Sequence, residues 1–431
     1  MEKNNPKIVK AWCLYDWANS AYSLVIISTL FPIYYTLIVK DIAGESGIIN
    51  FFGWEVKGSA LFSFAISFSY LIAAFLSPLL SGIADYTQSK KKFMQFFCTL
   101  GSIACSLLFF LTKDTINLSL ILFVVANIGF SGSIVFYNSY LSDLVTSDQM
   151  DKVSARGFSM GYIGSVILLV LNIVLITFAK TLFSFSPEPS YFAIRISFLS
   201  VGIWWFGFAQ YTFAYLPKPT EIKEKVEGWF FAGLHELSLV AKQMWQMPVM
   251  KVFLCSFFFY SMGVQTVMYV AAIFGEHEIK VPSNQLQVII LMLQLIAIVG
   301  AAIFAKVSDK KGNFYALLML ISIWIVICVG AYFVSGGRDF WILAAFVGLV
   351  MGGIQSISRS TFAKLIPKES PDSASFFSFY DVMEKLSIVL GTLSYGLIDY
   401  ITHSMRLSTV ALGIYFIIGF VILFSLRKNR I

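Results

Sequence analysis

Twelve mostly apolar stretches, each long enough to cross a bilayer, follow one another along this chain of 431 residues. A spanning helix needs about 20 such residues. The stretches fall near residues 11–39, 58–84, 93–112, 117–141, 157–180, 192–215, 249–274, 285–306, 314–334, 339–362, 375–401 and 408–427. Lipid offers no partner to a backbone N–H or C=O, so spans of this length are helices. Charged residues make up 13% of the chain, against about 25% in a soluble domain. The expected fold class is all-α, a polytopic membrane protein with 12 transmembrane helices.

The longest polar connection, 216–248, divides the chain into a six-helix bundle at 1–215 and a second at 249–431. Trp229, Phe230, Leu234, Leu237, Val240, Met244 and Trp245 alternate there with Glu236, Lys242 and Gln243. That pattern predicts an amphipathic helix lying on the inner membrane surface, a strap between the halves. Lys3, Lys7 and Lys10 precede the first apolar run, which is too long for a signal core and reads as an uncleaved span. With the N-terminus inside, 22 Lys and Arg fall on the inner side and 7 on the outer. This asymmetry predicts both termini in the cytoplasm and accounts for the net charge of +7 without nucleic acid.

The five cysteines form no Cys-x-x-Cys pair, and the three histidines lie far apart, so neither metal nor cofactor is expected. No glycine loop for phosphate and no hydrolase constellation is present, which argues against an enzyme. The expected partners are a small-molecule solute, the lipid bilayer and protons, with the chain working as a monomer.

Charges inside the spans then stand out, because one at the bilayer centre costs about 2.5–3.5 kcal/mol. Asp16 heads the first span, with Asn19 one turn on and Tyr22 beyond it. Asp16 reads either as a protonatable or substrate-pairing carboxylate, or as a gate residue tied to an inner-side cation. Asp381 and Lys385 are spaced as a helical ion pair. Glu384 is left without a local partner, and Arg359 in span ten is the expected one. Asn138, Gln265 and Gln355 add amides within spans four, seven and ten. Gly157, Gly161 and Gly164, like Gly348, Gly352 and Gly353, permit close helix approach.

The halves echo each other. Ser81-Gly82-Ile83-Ala84-Asp85, followed by Lys90, Lys91 and Lys92, closes span two. Ala305-Lys306-Val307-Ser308-Asp309, followed by Lys310 and Lys311, closes span eight. Repeated halves are a transporter construction, with the site at their interface. Asp85, Lys90, Lys91, Arg156, Asp309, Arg359, Asp381 and Lys385 are therefore expected to hold or switch conformational states.

The Asp85 and Asp309 motifs resemble the loop signature of the major facilitator superfamily. A narrower resemblance covers nearly the whole chain. It rests on Tyr15-Asp16-Trp17-Ala18-Asn19-Ser20-Ala21-Tyr22, Phe136-Tyr137-Asn138-Ser139-Tyr140-Leu141, the segments 154–164 and 352–360, Gly263-Val264-Gln265-Thr266, and Phe376-Phe377-Ser378-Phe379-Tyr380-Asp381. These stretches look like the unknown major facilitator family, related to the fungal vacuolar amino-acid effluxers of autophagy. Met262 stands where such members often carry Asp.

The resemblance implies the major facilitator fold and a secondary active transporter in the cytoplasmic membrane. It would move a small solute such as an amino acid by alternating access; proton coupling is expected from the carboxylates Asp16 or Glu384 within the spans rather than from the resemblance. Spans one, four, seven and ten would line the cavity. Asp16, Asn19, Tyr22, Asn138, Gln265, Gln355 and Glu384 are the candidates for substrate binding or coupling. A lipid or amphiphile flippase and a uniporter are the alternatives.

Overall fold

In the computed structural model, residues 3–217, 229–368 and 370–426 are described. The first span is α1 (Pro6–Ala21), a π-helical segment (Tyr22–Leu30) and α2 (Phe31–Ala43) in succession. Then come α3 (Gly58–Tyr86), α4 (Lys90–Leu107), α5 (Ile116–Leu144), α6 (Met150–Thr177), the short α7 (Ala179–Leu182) and α8 (Pro189–Tyr215). After α9 (Trp229–Gln246) follow α10 (Pro248–His277), α11 (Ser283–Lys311), α12 (Asn313–Phe333), α13 (Gly337–Leu365), α14 (Ser373–Thr402) and α15 (Met405–Ser425). Eleven of the twelve spans are long and apolar enough on composition alone. The exception, α14, is long enough but carries Asp381, Glu384, Lys385 and Asp399.

Two features depart from a plain array of helices. The connection after the first span folds into a hairpin, β1 (Ile48–Phe51) with β2 (Trp54–Lys57), turning through Phe52 and Gly53. Both turn residues have positive φ, and the Gly53 amide is held by the Asn50 side chain at 2.7 Å. The π-helical stretch widens the first span just before Pro32, which supplies no N–H. The Thr29 hydroxyl donates to the Leu24 carbonyl five residues back, at 2.7 Å.

The packing repeats. In the first half α1 lies on α6 and α8, and α5 on α3 and α4. In the second half α10 lies on α14 and α15, and α13 on α11 and α12. The same correspondence crosses the interface, where α3 meets α14 and α6 meets α11. Twelve crossings put Pro6 and Ser425 on one side, here called the terminal face. Only part of the linker is described, since residues 218–228 lie outside the described residues. Its helix α9 does not simply float on the surface. Gly233, Val240 and Met244 are buried, and α9 packs along α3. Phe231, Leu239 and Trp245 are exposed on its other side, where a bilayer would cover them.

Candidate functional site

Asp16 and Arg359 meet where α1, α5, α6 and α13 converge. The close approach of α1 to α6 depends on glycine. A Cβ on Gly157 would lie 2.7 Å from Asp16 Oδ2 and 2.9 Å from Arg359 Nη2. One turn on, a Cβ on Gly161 would lie 2.4 Å from Ser20 Oγ. In the space so left, Arg359 Nη1 donates to Asp16 Oδ2 at 3.1 Å and to Asn138 Oδ1 at 3.3 Å. Its Nε and Nη2 donate to the Ser154 hydroxyl and carbonyl at 3.0 and 2.9 Å. The Tyr137 hydroxyl donates to the same Asp16 oxygen at 2.7 Å. Trp12, Tyr137 and Phe158 present their rings to the guanidinium, Phe158 with its centroid at 4.1 Å. Arg359 is only 3% exposed. A buried charge pair is held only when further hydrogen bonds support it, and here Asp16 Oδ2 and all three guanidinium nitrogens have them.

Three further ties join the halves towards the terminal face. Asp85, at the end of α3, accepts from the Ser375 amide at 2.6 Å and the Ala374 amide at 3.4 Å. These are first-turn N–H groups of α14, the favoured place for a carboxylate. Lys90 donates to Asp143 at 2.6 Å and, across the interface, to Ser373 at 2.7 Å. Lys91 donates to the Leu216 carbonyl at 2.8 Å within the first half. Asp151, buried in the first turn of α6, accepts from Lys364 at 2.6 Å, Asn313 at 2.8 Å and Ser308 at 2.9 Å.

The two motif copies therefore act differently. Asp309 is the counterpart of Asp85, and α6 is the counterpart of α14. Asp151 already occupies the head of α6, and a second carboxylate there would meet like charge. Asp309 accordingly faces solvent, and its neighbour Ser308 makes the contact instead. Arg156 is also exposed at the terminal end of α6.

Nearer the middle of the bundle lies a second polar layer. Asp381 pairs with Lys385, as the spacing predicts, and accepts from the Ser77 hydroxyl of α3 at 2.6 Å. Gln265 donates to Glu384 at 3.0 Å. The Tyr162 hydroxyl donates to Gln355 at 2.7 Å, tying α6 to α13. Tyr70 of α3 and Tyr269 of α10 share a hydroxyl–hydroxyl bond of 2.5 Å. Asn19 is buried with its amide nitrogen unpartnered, and Tyr22 packs between Phe130 and Trp205 with its hydroxyl on the Phe123 carbonyl.

One expected pairing does not form. Arg359 is committed to Asp16, and among the described residues no Lys or Arg lies within ion-pair distance of Glu384. The reason is geometric, since Arg359 is drawn towards α6 by two bonds to Ser154. Tyr70, Tyr269, Tyr137, Ser154, Ser77 and the Asp151–Lys364 pair were not singled out from sequence. Tyr137 and Ser154 lie within the family-like stretches. The serines and tyrosines carry no charge to mark them, and Asp151 and Lys364 sit where solvated residues are common.

A model of the family described as "Vacuole effluxer Atg22 like" matches residues 4–430. The Bacillus subtilis protein named "uncharacterized MFS-type transporter YxiO" is 34% identical over 423 residues, covering 98% of this chain and 95% of that protein. Autophagy-related protein 22 of Yarrowia lipolytica is 24% identical, covering 89% and 78%. In fold, the chain is similar to the proton:xylose symporter XylE, with a TM-score of 0.74 at 12% identity over 97% and 95%. The human organic anion transporter MFSD10 gives 0.71 at 13% identity over 98% and 100%. Family and fold are those of transporters rather than enzymes. The chain belongs to the Atg22-like effluxer family and is an integral, multi-pass transporter of the major facilitator superfamily.

Proposed function

We propose that the chain is a proton-coupled secondary transporter of the cytoplasmic membrane, with its terminal face in the cytoplasm. The bundles at 1–215 and 249–431 rock against each other around a solute held between them, and a monomer suffices. The excess of basic residues on the terminal face supports the orientation. Amino acids are the substrate class that the resemblance to vacuolar effluxers implies. Gln265, Gln355 and Asn138, spread over three spans at the interface, favour a polar solute over a lipid.

The observation that carries the coupling is the isolation of Glu384. Asp16 and Asp381 each have a cation, whereas Glu384 has an amide. Glu384 is the carboxylate inside the spans on which loading and release of a proton break no ion pair. Asp16 serves as part of the cytoplasmic gate, together with Asp85, Lys90 and Arg359. The test uses liposomes carrying the purified protein, an imposed proton gradient and a panel of labelled amino acids. The wild type accumulates its substrate against a gradient. Glu384→Gln should only equilibrate it, with counterflow exchange preserved. Gradient-driven accumulation by Glu384→Gln equal to wild type overturns the assignment.

A further inference from the structure

The charges between the two halves do not cancel. Asp16 is neutralised by Arg359, and Asp381 by Lys385. The remaining carboxylate inside the spans, Glu384, leaves this layer with one uncompensated negative charge, in a place where an unpaired charge is expensive. Its surroundings are aromatic and weakly polar. Tyr380 stands one turn before Glu384 on α14, and Tyr269 stands one turn beyond its partner Gln265 on α10, where it meets Tyr70. Tyr260 is held by Ser358 at 2.8 Å, and the Tyr380 ring stacks on Phe257 with centroids 4.2 Å apart. The charged groups facing Glu384 from the elements packed around it are Asp381 and Lys385 on its own helix and Arg359 on α13. Both cations are already engaged by other carboxylates.

The layer is also roofed. Tyr269 stands one turn beyond Gln265 on α10, away from the terminal face. On α3, Asp85, Ser77 and Tyr70 follow at about two-turn intervals, each touching the second half. The Tyr70–Tyr269 bond thus closes the interface on the side of Glu384 opposite the terminal gate.

We infer that the Glu384 layer binds the ammonium group of an amine-bearing solute, with Glu384 as counter-ion, the tyrosine rings as cation–π walls and Tyr70–Tyr269 as the roof. A carboxylate with tyrosines one turn away on α14 and α10 complements a cation and repels an anion. The inference rests on the reading that Glu384 faces the solute path. The ammonium and the coupling proton then compete for the same oxygens, so loading of one displaces the other.

The test is a thermal-shift titration of the purified full chain at alkaline pH with isopentylamine, tyramine and putrescine. Their carboxylate counterparts isocaproate, phloretate and adipate, and neutral glucose, serve as comparison. At least one amine is expected to raise the melting temperature while the carboxylates and glucose leave it unchanged. Glu384→Gln should weaken that amine at least about tenfold, the loss of one charge-assisted bond. Glu384→Asp should retain part of the binding, and acidification should weaken it in the wild type. The inference is overturned if no amine binds, if the matched acid binds as well as the amine, or if Glu384→Gln binds it unchanged. Failure here with Glu384-dependent proton coupling intact removes only the amine assignment. Coupling that survives Glu384→Gln removes the reading beneath it.

Discussion

Asp16 and Arg359 lie 343 positions apart in sequence and share one buried hydrogen bond. Neither charge is tolerable alone, because removing one partner of a buried pair costs about 3–5 kcal/mol. Asp16→Asn leaves the guanidinium short of its counter-charge and should loosen the terminal gate. Cys13, buried three positions away, offers a built-in reporter. In a Cys255→Ser background, which removes the exposed thiol, Asp16→Asn should raise maleimide labelling of Cys13 several-fold. Labelling that stays at the wild-type rate contradicts the gate role. Gly157→Ala should act in the same direction, since its Cβ falls within 3 Å of both partners. Sequence marked both charges as costly but left the pairing of Asp16 open and offered Arg359 to Glu384. Proximity along a helix is readable from spacing, as for Asp381 and Lys385. Proximity across twelve spans is decided by packing, here by Ser154 and Gly157.

At the scale of elements, the linker helix α9 is a clasp on α3 that also reaches the head of α14. Its contact is tight enough that a Cβ on Gly82 would lie 2.3 Å from the Gly233 carbonyl oxygen. Gly233→Leu should therefore lift α9 and raise its amide exchange, with the transmembrane helices unaffected. Beside it, in the loop before α14, Asp372 is pushed up from 3.8 to about 6, first by burial and then by the Glu236 carboxylate of α9, against the pull of Lys90. A raised folded-state value means that the protonated contact stabilises below about pH 4 and is lost as pH rises through about 6. Exchange in α9, corrected for intrinsic rates, should thus be slower below pH 6 than above it. Asp372→Asn should flatten that dependence. An equally steep profile in the variant contradicts the assignment. The amphipathic pattern of α9 was legible in the sequence, whereas its glycine seat on α3 was not. The π-helical stretch of the first span escaped for a similar reason, since Pro32 signals disruption without specifying a wider turn. The β1–β2 hairpin depends on positive φ at Phe52, which sequence propensity does not favour.

At the scale of the whole molecule, two halves with the same internal packing meet through α3–α14 and α6–α11. The repeat was visible in the paired Asp85 and Asp309 motifs, but the symmetry is of backbone rather than of chemistry. Asp85 caps α14, while Asp151 takes over at α6 and Asp309 turns to solvent. The Asp16–Arg359, Asp85–Ser375 and Asp151–Lys364 ties join the halves towards the terminal face, and the Tyr70–Tyr269 bond joins them beyond Glu384; in the proposed cycle these are the thick and the thin gate. Breaking the thick gate should let the halves rock the other way. The most direct measurement is a pair of spin-label distances in one reconstituted protein, comparing wild type with Arg359→Ala. Labels at the exposed Lys152 and Lys310 report the terminal face, and labels at the exposed Glu45 and Lys280 report the opposite face. The account predicts that Arg359→Ala lengthens the first distance and shortens the second. Distances that stay fixed, or that both lengthen, would contradict alternating access governed by this gate.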